Sequence, residues 1–125
     1  MSSILVVEDN PLNMKLVRDI LAHHGHRVLE ARTGLDGLEL ARRHRPDLIL
    51  MDIQLPDIDG ATALGRIRQH GELAAVPVLA VSASVMPDEQ QRVLSSGFDA
   101  FIVKPLSLQA FLAAVDAALA NGRIG

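Results

Sequence analysis

The sequence predicts a three-layer α/β domain, a parallel sheet covered by helices on both faces, and three observations carry that expectation. Short apolar runs recur at 4–7, 28–29, 48–51, 78–81 and 100–103. Each is followed by a polar break and then a longer segment with helical spacing. The runs are continuously apolar rather than alternating, as strands buried on both faces are. The 125 residues, 49% hydrophobic and 22% charged, suffice for one cooperative core. With no repeat and no Pro/Gly/Ser-rich linker, a single domain over 1–125 is expected.

The first helix starts at Asn10 as N-cap with Pro11 at the first position. It carries Leu12, Leu16, Val17, Ile20 and Leu21 at helical spacing and ends near Gly25. The second begins at Thr33, with Asp36 three residues on, and runs through Leu35, Leu38 and Ala41 until Pro46 stops it. Arg42, Arg43 and Arg45 at its end are read as cations complementing the helix dipole rather than as a phosphate patch. The third is expected over 61–70 with Ala61, Leu64 and Ile67 inward. The fourth is expected over 87–96, stopped by Gly97 and so polar, through Asp88 to Arg92, that its packing should be weak. The fifth has Ser107 as cap, a core stripe of Leu108, Phe111, Leu112, Val115 and Leu119, and Asn121-Gly122 as its end.

Five strands alternating with five helices through right-handed crossovers fit a flavodoxin-like strand order of 2-1-3-4-5. In such open sheets ligands bind beyond the carboxyl ends of the strands, at the switch point between the first and third.

Composition removes several classes of function. Without cysteine there is no disulfide framework, thiolate zinc site or cysteine nucleophile, and a cytoplasmic location is expected. No apolar run is long enough for a membrane span, and no basic n-region or cleavage site marks a signal peptide. Three phenylalanines and no Trp or Tyr argue against base or flavin stacking, so no direct nucleic-acid contact is expected. His23, His24 and His26 lie at adjacent positions that point apart and are read as a solvated helix end.

The chemistry concentrates at the strand ends. Strand one ends in Glu8-Asp9, strand three in Asp52, strand four in Ser82 and strand five in Lys104-Pro105. Singly each has an ordinary explanation as a loop acid, a cap or a surface group. Together they place three carboxylates, a hydroxyl and an ammonium around one crevice. Clustered carboxylates repel one another, and a hard divalent cation, Mg²⁺, is the usual remedy. Such an ion keeps open positions for phosphoryl oxygens, which Lys104 and Ser82 would neutralise and hydrogen-bond. Phosphoryl transfer to Asp52 as a carboxylate nucleophile follows.

These residues resemble the receiver domains of two-component response regulators over nearly the whole chain. The likeness rests on Val7-Glu8-Asp9-Asn10, on Met51-Asp52-Ile53-Gln54-Leu55-Pro56 with Gly60, on Val81-Ser82-Ala83 and on Lys104-Pro105, each in the expected order. The resemblance implies that Asp52 is the phosphorylated aspartate. It implies that Glu8, Asp9 and Asp52, with the backbone carbonyl of Gln54, hold Mg²⁺, and that Lys104 pairs with the phosphoryl group. Ser82 and Phe101 would be the switch pair, and the Lys104-Pro105 peptide bond would be cis. Gln54 and Ser84 occupy positions that modulate acyl-phosphate hydrolysis in the family. Departures are small, serine where threonine is frequent and Phe101 where tyrosine is frequent; without a hydroxyl, Phe101 offers partners no hydrogen bond.

The implied partners are a histidine kinase or histidine phosphotransfer protein as donor, and a downstream protein reading the face of helix four, strand five and helix five. The chain stops soon after helix five, so output by binding is expected. A haloacid-dehalogenase-like phosphatase would need a second carboxylate where Gln54 stands. A flavodoxin-type electron carrier would need an acid-free phosphate loop where Glu8-Asp9 stands. A receiver-like docking module that acts without phosphorylation, or the receiver part of a longer hybrid kinase or response regulator, are the alternatives kept.

Overall fold

A computed structural model of the chain describes residues 2–82, 86–103 and 107–121. Five strands, β1 (Ser3–Val7), β2 (Arg27–Ala31), β3 (Leu48–Asp52), β4 (Val78–Ser82) and β5 (Ala100–Val103), alternate with five helices. The helices are α1 (Pro11–His23), α2 (Gly34–His44), α3 (Gly60–Arg68), α4 (Pro87–Ser95) and α5 (Leu108–Asn121). All strand pairs are parallel and the order is β2-β1-β3-β4-β5, the expected flavodoxin-like arrangement.

Strand alternation divides the core in two. Ile4, Val6, Leu48, Leu50, Leu79, Val81 and Ile102 face one side, where α1 and α5 supply Met14, Val17, Leu21, Phe111 and Val115. Leu5, Val7, Ile49, Met51, Val78 and Ala80 face the other, against Ala41 of α2, and Ala63, Leu64 and Ile67 of α3. Both faces of β3 and β4 are therefore dry, which is why those runs read as unbroken apolar stretches.

Local chemistry sets the helix ends. Asn10 Oδ1 accepts from the amides of Leu12 at 2.9 Å and Asn13 at 3.1 Å, and Thr33 Oγ1 accepts from Asp36 at 3.0 Å. Gly25 sits just past α1 at φ +85°, and Pro46 follows a left-handed Arg45 at φ 47°. α3 is shorter than expected because the chain tightens after Arg68 and makes a 3₁₀ turn over Gly71–Leu73.

Several side chains expected inward are not. On α1 the buried stripe is Met14, Val17 and Leu21, which leaves Leu12 78% and Leu16 49% exposed on its flank. Ala61 is exposed because Gly60, Ala63, Leu64 and Ile67 make the inner face of α3. Leu35 and Leu108, in the first turns of α2 and α5, are exposed as well. The weak packing expected of α4 is present, for the helix has no buried residue. The expected end at Asn121-Gly122 reaches outside the described residues at Gly122.

Candidate functional site: an acidic cleft at the strand ends

Strand register brings the acids together. Val7 is level with Met51, so the next residues, Glu8 and Asp52, leave β1 and β3 side by side. Glu8 is held there by its amide, which donates to the Ala31 carbonyl at 2.9 Å. Counting along the alternation, Glu8 follows Ile4 and Val6 and Asp52 follows Leu48 and Leu50, so both lean toward the α1/α5 side. Both are buried, at 4% and 7% exposure, while Asp9 is exposed. One carboxylate oxygen from each of Glu8, Asp9 and Asp52 lies within 4.8 Å of the others. Oxygens so placed on flexible stems suit a hard divalent cation that keeps part of its water shell.

The loop after β3 is fixed rather than loose. The Gln54 amide donates to Asp52 Oδ1 at 2.8 Å, which orients the carboxylate, and the Gly60 amide donates to the Ile53 carbonyl at 3.1 Å. A side chain at position 60 would meet backbone, with its Cβ at 2.8 Å from Ile53 Cα and 3.2 Å from the Asp52 carbonyl oxygen. Glycine there lets the start of α3 press against the loop after β3. Asp59 caps α3 by accepting from the Thr62 amide at 2.7 Å. That bond, with one from the Thr62 side chain, holds its carboxyl below the ordinary range.

Ser82 ends β4, 3% exposed, opposite Val103. Phe101 pairs with Ala80 and packs, partly buried, against the α2/α3 core. By alternation Ser82 shares that side with Ala80, so the hydroxyl and the aromatic ring lie on the face away from Glu8 and Asp52. Lys104, Pro105 with its expected cis bond, and Ser84 lie outside the described residues.

Two neighbours of the site were not signalled by the sequence. A small cavity of about 80 Å³ opens beside the acids, with Asn13 and Leu16 of α1 among its lining with Val17 and Phe111. Their position in the first and second turns of α1 is common to many helices, and only packing reveals that they reach the cleft. The caps Asp57 and Asp59 had a signal in principle, an Asp before a helix start.

The chain matches the response regulator receiver domain family over residues 4–116. It is 43% identical over 119 residues to the polar-differentiation response regulator DivK of Brucella anthropi, an alignment that covers 95% of this chain and 97% of that protein. A putative response regulator from Chloroflexus aurantiacus superposes with a TM-score of 0.91 at 27% identity, covering 96% and 98% of the two chains. The receiver domain of sensor histidine kinase PA1611 from Pseudomonas aeruginosa, solved with magnesium coordinated in its active-site cleft, superposes at 0.89 with 30% identity, covering 96% and 98%.

The chain thus belongs to the response regulator receiver domains, the signalling phosphoacceptors of two-component systems rather than enzymes in the usual sense. Membership implies a histidine kinase among its partners. Among the described residues no helix is long and apolar enough to cross a membrane.

Proposed function

We propose that residues 1–125 form one receiver domain in which Asp52 accepts a phosphoryl group from the phosphohistidine of a kinase or phosphotransfer protein. The observation that carries this is the convergence of Glu8, Asp9 and Asp52 within 4.8 Å at the switch point of the sheet. A carboxylate oxygen of Asp52 forms the new O–P bond as the donor's P–N bond breaks, and the electron pair of that bond returns to the imidazole nitrogen. Glu8, Asp9 and Asp52, with the Gln54 carbonyl, are the groups that would hold Mg²⁺, which when bound supplies charge neutralisation for the phosphoryl oxygens. The Gln54 amide keeps Asp52 oriented for in-line attack. Lys104 is assigned as the cation opposite the phosphoryl group, and the Ser82 hydroxyl as the donor that turns toward it. Movement of Ser82 opens space for Phe101 to rotate inward, biasing α4 and β5 toward a second arrangement.

Two surfaces serve the partners. Half-exposed Leu16, which lines the cavity beside the acids, and exposed Leu12 on the same helix give a phosphodonor an apolar seat. The face of α4, β5 and α5 is the one a downstream protein would read, because α4 has no buried anchor to hold it in place. A kinase that draws its phosphoryl group from ATP places the exchange in the cytoplasm.

The test is intact mass after incubation with acetyl phosphate, with and without Mg²⁺, on wild type and Asp52→Ala. A Mg²⁺-dependent single-phosphoryl adduct confined to wild type supports the reading. No adduct, together with no binding of beryllofluoride, would leave a docking module that works without phosphorylation.

A further inference from the structure

The end of the molecule remote from the acids holds a built junction. Arg68, the last residue of α3, donates from Nη1 to the carbonyls of Val76 at 2.7 Å and Leu73 at 3.1 Å, and from Nη2 to Asp99 Oδ2 at 3.1 Å. The same Asp99 oxygen accepts from the Val78 amide at 2.8 Å, and the Asp99 amide donates to the Val78 carbonyl at 2.9 Å. The pair is half-buried, with the two side chains 16% and 24% exposed, so it is screened less than a pair standing free in solvent. One guanidinium therefore ties together the end of α3, the turn before β4, and the residue from which β5 starts.

What lies on either side of Asp99 differs sharply. Before it, Phe98 is buried in the core, Gly97 sits at φ +115°, and α4 has no buried residue. After it, β5 is an edge strand of four residues that, among the described residues, pairs with β4 alone and carries Phe101. A short edge strand pulled at one end dissipates the pull by fraying unless its other end is held.

We propose that Arg68 and Asp99 are positioning residues of the switch: they pin the base of β5, so that a displacement at Ser82 and Phe101 is passed to α4, which swings about Gly97. The proposal rests on the phosphoacceptor reading above. Asp99→Asn keeps an acceptor for the Val78 amide and removes the charge; Arg68→Met removes the guanidinium and its bonds; Arg66→Met, at an exposed position on the same helix, is the control.

The experiment titrates each full chain with beryllofluoride and Mg²⁺ and follows backbone amide resonances of 87–103, with thermal melts to establish that each variant is folded. The expected result is beryllofluoride affinity within about twofold of wild type in Asp99→Asn, with the shifts of the α4 amides reduced to less than about half, and an unchanged response in the control. Arg68→Met provides the same reading should Asp99→Asn fail to fold. Full-sized α4 shifts in the variants overturn the proposal, since the pair would then serve stability alone. Loss of affinity along with the shifts overturns it too, because the pair would be shaping the site. If wild type itself does not respond to beryllofluoride, the phosphoacceptor reading falls, and this inference with it.

Discussion

Asp57, in the loop that follows β3, caps α2, the helix on the other side of that strand in the chain: its carboxylate accepts from the Gly34 amide at 2.8 Å and the Leu35 amide at 2.9 Å. Those amides open α2, where the positive end of the helix dipole favours an anion. Ile58 fills the space beside Gly34, where a Cβ would come within 2.5 Å of Ile58 Cγ1. The loop that carries Gln54 is thus clamped to α2.

That clamp titrates. Desolvation pushes the Asp57 carboxyl up, and hydrogen bonds from the amides of Leu35, Gly34, Ile58 and its own residue outweigh it, so it sits below its ordinary value of 3.8. A carboxyl lowered in the folded state contributes stability above its unfolded value and loses it as pH falls through the folded one. Asp57→Ala is expected to lower the urea midpoint at neutral pH, and the gap from wild type should close as pH drops below about 4. A gap that stays constant down to the acid limit would assign the effect to packing instead.

Glycines 60 and 65 stand on the same helix and should respond oppositely to alanine. At Gly60 the new methyl meets backbone, so about 1–3 kcal/mol of destabilisation is expected, together with slower acetyl phosphate labelling because Asp52 is adjacent. At Gly65 nothing lies within 4 Å, and alanine should stabilise by about 0.5–1 kcal/mol through helix propensity. Chemical denaturation of the two variants checks both signs.

Three carboxylates within 4.8 Å repel when no cation is present. Removing the exposed member by Asp9→Asn should therefore raise the melting temperature in chelator, by an amount equivalent to about 1 kcal/mol. The same variant should lose most of the stabilisation that millimolar Mg²⁺ gives wild type. Equal Mg²⁺ stabilisation in both proteins would remove Asp9 from the ligand set.

Leu12, the second residue of α1, is 78% exposed and makes no core contribution. Leu12→Glu should leave the melting temperature and the acetyl phosphate reaction unchanged, while slowing phosphotransfer from a phosphohistidine donor by about tenfold or more. Unchanged transfer from the protein donor would place the apolar seat elsewhere.

Much of the architecture is legible along the chain because the signals are local. Continuous apolar runs mark β3 and β4, and Asn10-Pro11 and Thr33 mark the starts of α1 and α2. Polar residues at the strand ends mark the cleft, because parallel topology sends every strand's carboxyl end the same way. Boundaries shifted by a residue or two where the last turn tightened, as after Arg68.

What the sequence by itself determined is therefore the order of elements, the identity of Glu8, Asp9, Asp52 and Ser82 as strand-end groups, and the weak anchoring of α4. The tertiary structure alone decided which leucines face the core, since a helical stripe says that a face exists but not which of its residues the neighbouring layers cover; Leu12 and Leu16 are left exposed. It alone decided the reach of Asp57 to Gly34 and of Arg68 to Asp99, pairs separated by 23 and 31 residues. Charge and cap propensity are properties of single residues, whereas a partner that far along the chain is chosen only when the layers close.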